Sequence, residues 1–359
     1  MGSTNLERRA AGLARAGLDL DELYLEFDQL LRPAVGFEVG AWSTLDPATG
    51  LFTSCTMTGI DKDPEREARL FAEEFTDDEP ASVQTLLADR AVVAILSEVT
   101  DGDLRRARRY RNLLEGFGVT DELRGIMWTA GTAWSSVSLY RASGTFTRAE
   151  SEVLASISSW VADAVRLALL RAAAHQPGAL DDPPGIVLAH PDGRVDALTE
   201  PAQRWLDLGG DKLVTAAVST AAALRKRPEW EGTQMMVTLD DSLMLSLVAS
   251  SLTARDGTVA VIVDRARKPE VGAMLMNAYG LTPRQREVLG LLLLGHSMVE
   301  IARELDISEH TANDHRKAVY SRMGVASRGQ LAALLQSEHY TRLRDQDLTP
   351  SPYGGFLGT

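Results

Sequence analysis

The sequence predicts a multidomain chain: an α+β domain, a second α+β domain, and an all-α domain of four short helices. Three observations carry this. Stretches dense in Pro, Gly, Asp and charge, HQPGALDDPPG (175–185) and RKPEVG (267–272), punctuate the 359 residues. The two parts before the second break mix β-type runs with helices. The part after it contains start signals of Ser or Thr followed three residues later by Gln or Glu, each ahead of an apolar run. The expected domains are therefore 1–175, 183–266 and 272–340. The tail 344–359, ending TPSPYGGFLGT, has too few apolar residues to bury and is expected to be disordered.

In the first segment LDLDELYLEFDQLL (18–31) is an amphipathic helix. GFEVGAWSTL and LFTSCTMTGI, joined by DPATG, read as a β-hairpin. A charged helix follows over about 62–76. ELRGIMWTAG and AWSSVSLYRA are two more strands around a Gly-Thr turn. TFTRAESEVLASISSWVADAVRLALLRAAA then opens on a capping box, Thr147 and Glu150, and continues as a long helix. Helix, antiparallel strands and a long closing helix resemble the GAF sensor fold over about residues 19–170. Phe37, Trp42, Cys55, Met57, Trp128 and Trp134 fall in the strands of this segment. Two readings stand for them: the lining of a pocket for a small-molecule effector, or the apolar core that any such sheet must bury. For Cys55 alone, a redox role stands beside packing as a small hydrophobe.

LRRARRYRNLL (104–114) carries five arginines around an apolar stripe of Leu104, Ala107, Tyr110 and Leu114. Its arginines are expected on a solvated or interdomain face, opposed to the acidic 73–79 run, rather than in a second nucleic-acid patch. The second segment opens PPGIVLAHPDGRVDALTEPAQRWL: strand, Asp-Gly turn, strand, short helix. It closes on QMMVTLD, LMLSLVASSL and GTVAVIVDRA, three strands in succession. This order resembles a PAS-type sensor domain.

The third segment is the most explicit. LTPRQREVLGLLL has Thr282 as N-cap, Pro283 at the first helical position and Gln285 to complete a box. Gly295 and His296 end that helix. SMVEIARELD repeats the box with Ser297 and Glu300, and its Met298, Ile301, Ala302 and Leu305 form one apolar stripe. Ser308 caps a third helix, ended by Gly324, and SRGQLAALLQSE is a fourth. Such an array is a helix-turn-helix domain in outline. The run from Leu281-Thr282-Pro283-Arg284 through Arg286-Glu287-Val288-Leu289, Gly295, Glu300-Ile301-Ala302, Leu305, Ile307-Ser308, Thr311, His315-Arg316 and Met323-Gly324-Val325 to Arg328 closely resembles the LuxR-type DNA-binding domain. The resemblance implies a compact domain whose third helix enters the major groove of double-stranded DNA, acting as a homodimer at transcription control sites. It also admits contact with RNA polymerase.

With the third helix in the groove, its polar face and the basic groups near it give Ser308, His310, Thr311, Asn313, Asp314, Arg316, Lys317, Arg322 and Arg328 as the expected DNA contacts. In helical projection Ala312, His315, Val319 and Met323 share one arc, while His310, Asn313, Asp314, Lys317 and Ser321 occupy the opposite, polar one. His315 has two readings, backbone contact or packing. Where the family commonly has a lysine, this chain has Asn313, beside the acidic Asp314. That departure supports a rival reading, a protein-interaction adaptor whose helix-turn-helix has lost affinity for DNA.

Composition bounds the rest. The net charge of −13 excludes a nucleic-acid coat over the whole surface but not one local contact, and residues 61–79 alone hold nine acids against three bases. One cysteine excludes an internal disulfide and suits a reducing cytoplasm; with it and six scattered histidines there is no zinc spacing. The N-terminus lacks an apolar signal core, and WVADAVRLALL is too short and too charged to span a bilayer, so no membrane is expected. No Walker loop, Rossmann glycine pattern, HExxH or nucleophile elbow is found, so neither enzymatic turnover nor a cofactor is expected. The acidic pair of a phosphoacceptor domain is missing as well, which points to a directly sensed signal.

Overall fold

A computed structural model describes residues 3–61, 63–74, 79–174, 183–190, 194–226, 231–232, 234–239, 243–252, 258–266, 279–323, 325–331, 348–350 and 356–358. Residues 175–182 of the first predicted linker, the whole of the second, the Asp192-Gly193 turn, Gly324 and most of the predicted tail lie outside the described residues. Contacts divide the chain into two compact units. One holds residues 1–129 and 133–265, the other 130–132 and 266–359.

The larger unit starts with α1 (Ser3–Leu13) and α2 (Leu20–Leu31). Asp19 caps α2 by accepting from the Glu22 amide at 2.8 Å. The hairpin follows as β1 (Val39–Leu45) and β2 (Phe52–Thr58), then α3 (Pro64–Glu73), α4 (Val83–Ala88), β3 (Val93–Ile95), α5 (Leu96–Val99), β4 (Asp121–Thr129), β5 (Thr132–Arg141) and α6 (Arg148–Ala174). Its sheet runs β2-β1-β5-β4-β3. One face is covered by α2 and α6: Tyr24 and Phe27 stack on Trp42, whose indole N–H donates to the buried Asp28 carboxylate at 3.1 Å. The Thr147–Glu150 box that opens α6 closes in both directions. By length and composition α6 could cross a bilayer, because the helix extends well beyond the WVADAVRLALL run. Half of its most apolar stretch is buried, and it packs on β4 and α1.

The stretch 104–114 departs from expectation. It forms a 3₁₀ turn at Leu104–Arg106 and a π-turn at Tyr110–Leu114, and Arg109, expected on a solvated or interdomain face, points into the core with 1% of its surface exposed. Its charge is matched there by Glu79 and Glu122, both at 2.6 Å, so burial is tolerated. The expected opposition to the 73–79 acids is present, at Arg108–Glu73 and Arg109–Glu79, but inside one fold.

A second sheet belongs to the same unit: β6 (Gly185–Ala189), β7 (Val195–Leu198), β8 (Gln234–Thr238), β9 (Met244–Ser251) and β10 (Val259–Arg265), in the order β7-β6-β10-β9-β8. Counted from its own first strand, this repeats the order of the first sheet. Between β7 and β8 stand α7 (Glu200–Gly209) and α8 (Asp211–Lys226). The second of these is longer than the single short helix the sequence suggests.

The smaller unit contains α9 (Pro283–Leu294), α10 (Met298–Glu304), α11 (Glu309–Met323) and a helical turn at 328–331. Both capping boxes, Thr282/Gln285 and Ser297/Glu300, are complete. Gly295 ends α9 at φ +104°, a left-handed conformation that glycine adopts without penalty. Val288, Leu289, Ile301, Ala312, Val319, Met323 and Leu331 form the core. Residues 348–350 and 356–358 pair as two short antiparallel strands, in a stretch whose composition predicts no structure.

Candidate nucleic-acid interface and sensor cavity

The presentation of α11 follows from its caps and its apolar arc. Ser308 Oγ accepts from the Thr311 amide at 3.1 Å and bonds the Thr311 hydroxyl at 2.8 Å, so these two predicted contact residues also start the helix. Ala312, Val319 and Met323 anchor it in the core, and His315 is half-buried on the same arc. His310, Asp314, Lys317 and Ser321 are left facing solvent.

Asp314 organises that face. One carboxylate oxygen lies 3.4 Å from Lys317 Nζ and the other 3.5 Å from His310 Nε2. All three side chains are more than half exposed, so these contacts hold conformation weakly and are open to exchange. Asn313 donates one N–H of its amide to the Glu309 carbonyl at 3.0 Å, one turn back, which leaves its second N–H and its oxygen for other partners.

The arginines are placed differently from the sequence reading. Arg322 donates to the Gly280 carbonyl. Arg328 donates to the carbonyls of His296, at 3.1 Å, and Leu292, thereby capping the C-terminal end of α9. The Arg316 guanidinium lies 5.8 Å from the Tyr320 ring centroid. These groups brace the domain, and in this arrangement Lys317 is the exposed cation of the predicted set that has no backbone partner among the described contacts. Residues 280–335 nevertheless carry seven basic and six acidic side chains, close to neutral in a chain of net charge −13.

The six residues suggested for a ligand pocket do not gather. Strand alternation sends Trp42 to the face under α2, while Cys55 and Met57 point to the other face with their cross-strand partners Ser43 and Ala41. Trp42 and Trp134 are fully buried, Phe37 is buried against the Arg32 guanidinium, and the Trp128 indole donates to the Ala91 carbonyl at 3.0 Å. Of the six, Cys55 and Met57 line one cavity, of about 30 Å³, with Phe52, Phe71, Glu74 and Arg124 among its other walls. It has room for about one water molecule.

Sequence reasoning missed the charged wall of this cavity. Arg124 pairs with Glu74 and Glu122, each at 2.7 Å, and donates to Ser138 Oγ at 2.9 Å. Glu122 in turn holds Arg109. Burial alone would raise the Glu122 carboxyl, but the two guanidiniums outweigh it and hold the group below the usual range. Burial wins at Glu79, which is raised despite Arg109. The excess of acids in 61–79 was the one available signal, and it did not name their partners.

Comparison with known proteins bears on the smaller unit. Residues 280–335 match the family model described as bacterial regulatory proteins, luxR family. Over 47 residues the chain is 45% identical to the transcriptional regulatory protein MctR of Rhizobium johnstonii, which covers 13% of this chain and 22% of that one. Over 98 residues it is 31% identical to the putative HTH-type transcriptional regulator YhjB of Escherichia coli, covering 24% of this chain and 49% of the relative. The chain thus spans less than half the length of either curated relative. Among solved structures, the crystal structure of the bacteriophytochrome RpBphP3 from R. palustris aligns over 73% of this chain and 62% of that one, at 11% identity and a TM-score of 0.33. The C-terminal segment is a LuxR-type helix-turn-helix domain.

Proposed function

We propose that this chain is a transcriptional regulator of the LuxR type that binds duplex DNA through α11, as a homodimer in the cytoplasm. The observation that carries the reading is the match over 280–335 combined with a solvent-facing arc of His310, Asp314, Lys317 and Ser321 on a helix anchored by the opposite arc. With few free cations, phosphate attraction supplies little and base edges supply more of the recognition. Asp accepts from cytosine N4, Lys favours guanine, and Asn bonds adenine, at about 1–3 kcal/mol of discrimination per good contact. Ser308 and Thr311 sit at the helix start, where an anion is favoured.

Regulation is assigned to the larger unit. The cavity beside Cys55 and Met57 is the input site for a small effector, which must open it to enter, and RNA polymerase is a further partner in the output. Binding of random duplex pools by the full chain, measured against salt, tests the reading. Each phosphate contact adds about 0.9 to the logarithmic salt slope, so a shallow slope with defined preferred sequences is expected.

A second reading has its own support. Arg322 and Arg328 are committed to backbone carbonyls, and Asp314 stands where the domain meets its target. A protein-interaction adaptor without DNA affinity fits those facts, and failure of the selected pool to enrich any sequence would favour it.

A further inference from the structure

Strands β2 and β8 are the outer strands of their sheets, so each presents backbone amides with no neighbouring strand to accept from them. Each finds a buried acceptor from the other sheet's side of the unit. The Phe52 amide on β2 donates to Ser219 Oγ of α8 at 3.1 Å, across 167 residues of sequence. The Met236 amide on β8 donates to Asp46 Oδ2, in the β1–β2 turn, at 3.2 Å, across 190 residues. Asp46 is 3% exposed, and its other oxygen already accepts from the Ala48 and Thr49 amides and the Thr49 hydroxyl. Losing Ser219 strands a buried amide, and losing Asp46 a half-buried one, which is costly.

Helix α8 belongs to both cores. Leu213, Ala216, Ala217, Ala221 and Leu224 pack in the second sheet's cluster, while Val218 and Val214 pack with Leu45, Phe52 and Phe71 of the first. Phe52 and Phe71, with ring centroids 4.8 Å apart, are also walls of the cavity beside Cys55. Phe52 is therefore at once cavity wall, edge strand and hydrogen-bond partner of α8. The Lys212–Asp21 contact at 3.1 Å, half-exposed on the aspartate side, adds little to this junction.

We infer that this reciprocal exchange of edge-strand acceptors couples the two sheets, so that a change in the first sheet's cavity is transmitted through Phe52 and α8 to the second sheet. The inference rests on the proposed function only in naming the cavity as the input, and it is tested without DNA. Amide hydrogen exchange of the full chain is compared between the wild type and Cys55→Met, which adds bulk to a wall of a cavity with room for one water. Severalfold changes are expected in 39–58, in 213–224 and in 234–249. In a background of Asp46→Asn with Ser219→Ala the change should stay within the first sheet. Asn keeps an oxygen for the turn but sets an N–H₂ against the Met236 amide. If Cys55→Met does not fold, methyl methanethiosulfonate on Cys55, the only cysteine, delivers similar bulk to the folded protein. An unaltered second sheet in the bulky protein, whatever happens in the first, would overturn the inference. So would a change that reaches the second sheet in the doubly substituted background.

Discussion

Charged side chains do opposite work in two places. Under the first sheet, Arg109, Arg124, Glu74, Glu79 and Glu122 are removed from water and satisfy one another through contacts of 2.6–2.7 Å. On α11, Asp314, Lys317 and His310 stand in water at 3.4–3.5 Å. A buried charge that loses its partner is stranded, whereas an exposed one is simply hydrated. The first group therefore maintains a fold and the second is available to a partner. The difference teaches that proximity of opposite charges does not reveal a role until burial is known.

The sharpest way to break the comparison is Glu122→Gln. It leaves two buried guanidiniums short of a carboxylate and is expected to cost about 3–5 kcal/mol, read by denaturant unfolding of the full chain. Its pH signature has a defined sign. The depressed Glu122 carboxyl contributes stability that is complete above the unfolded glutamate value, about 4.3, and is lost as pH falls through the folded one. Glutamine at 122 should flatten that acid-side loss. The raised Glu79 runs the other way, adding stability at low pH that fades as pH rises through its folded value.

Next in size is Ile301→Ala in the helix-turn-helix core. Removing a fully buried side chain there should cost about 2–5 kcal/mol, monitored by thermal melting. Ser297→Ala removes the cap of α10 and should cost about 1 kcal/mol by the same measurement. Asp314→Ala sits at the bottom of the scale. It should change stability by less than about 0.5 kcal/mol while relaxing sequence preference in site selection, because its contacts are solvated. A large loss of stability in that variant would erase the contrast between the two groups.

Much of this was legible in sequence, for local reasons. The Thr147, Thr282 and Ser297 boxes, the DPATG turn and the arc of α11 all depend on residues within a turn or two of one another. Three features were not legible. Helix α8 is rich in alanine and buried on two sides, so it shows no single apolar stripe. Arg109 reads as one of five solvated arginines because its partners lie 13 and 30 residues away. The backbone bonds of Arg322 and Arg328 likewise depend on carbonyls 32 to 42 residues distant. Of the candidate site, α11 and its exposed polar arc were legible, while the cavity's charged wall and the joint between the sheets were not.

The central claim is that α11 touches DNA with its exposed arc, and Lys317→Ala tests it most directly. Lys317 has no structural partner beyond Asp314 among the described contacts, so the variant should fold as the wild type does. Binding of a selected duplex should weaken, and the logarithmic salt slope should fall by about 0.9, the release expected from one phosphate contact; a slope unchanged with weaker binding would place the lysine on a base instead. Unchanged affinity together with an unchanged slope would contradict the account and move the docking face elsewhere.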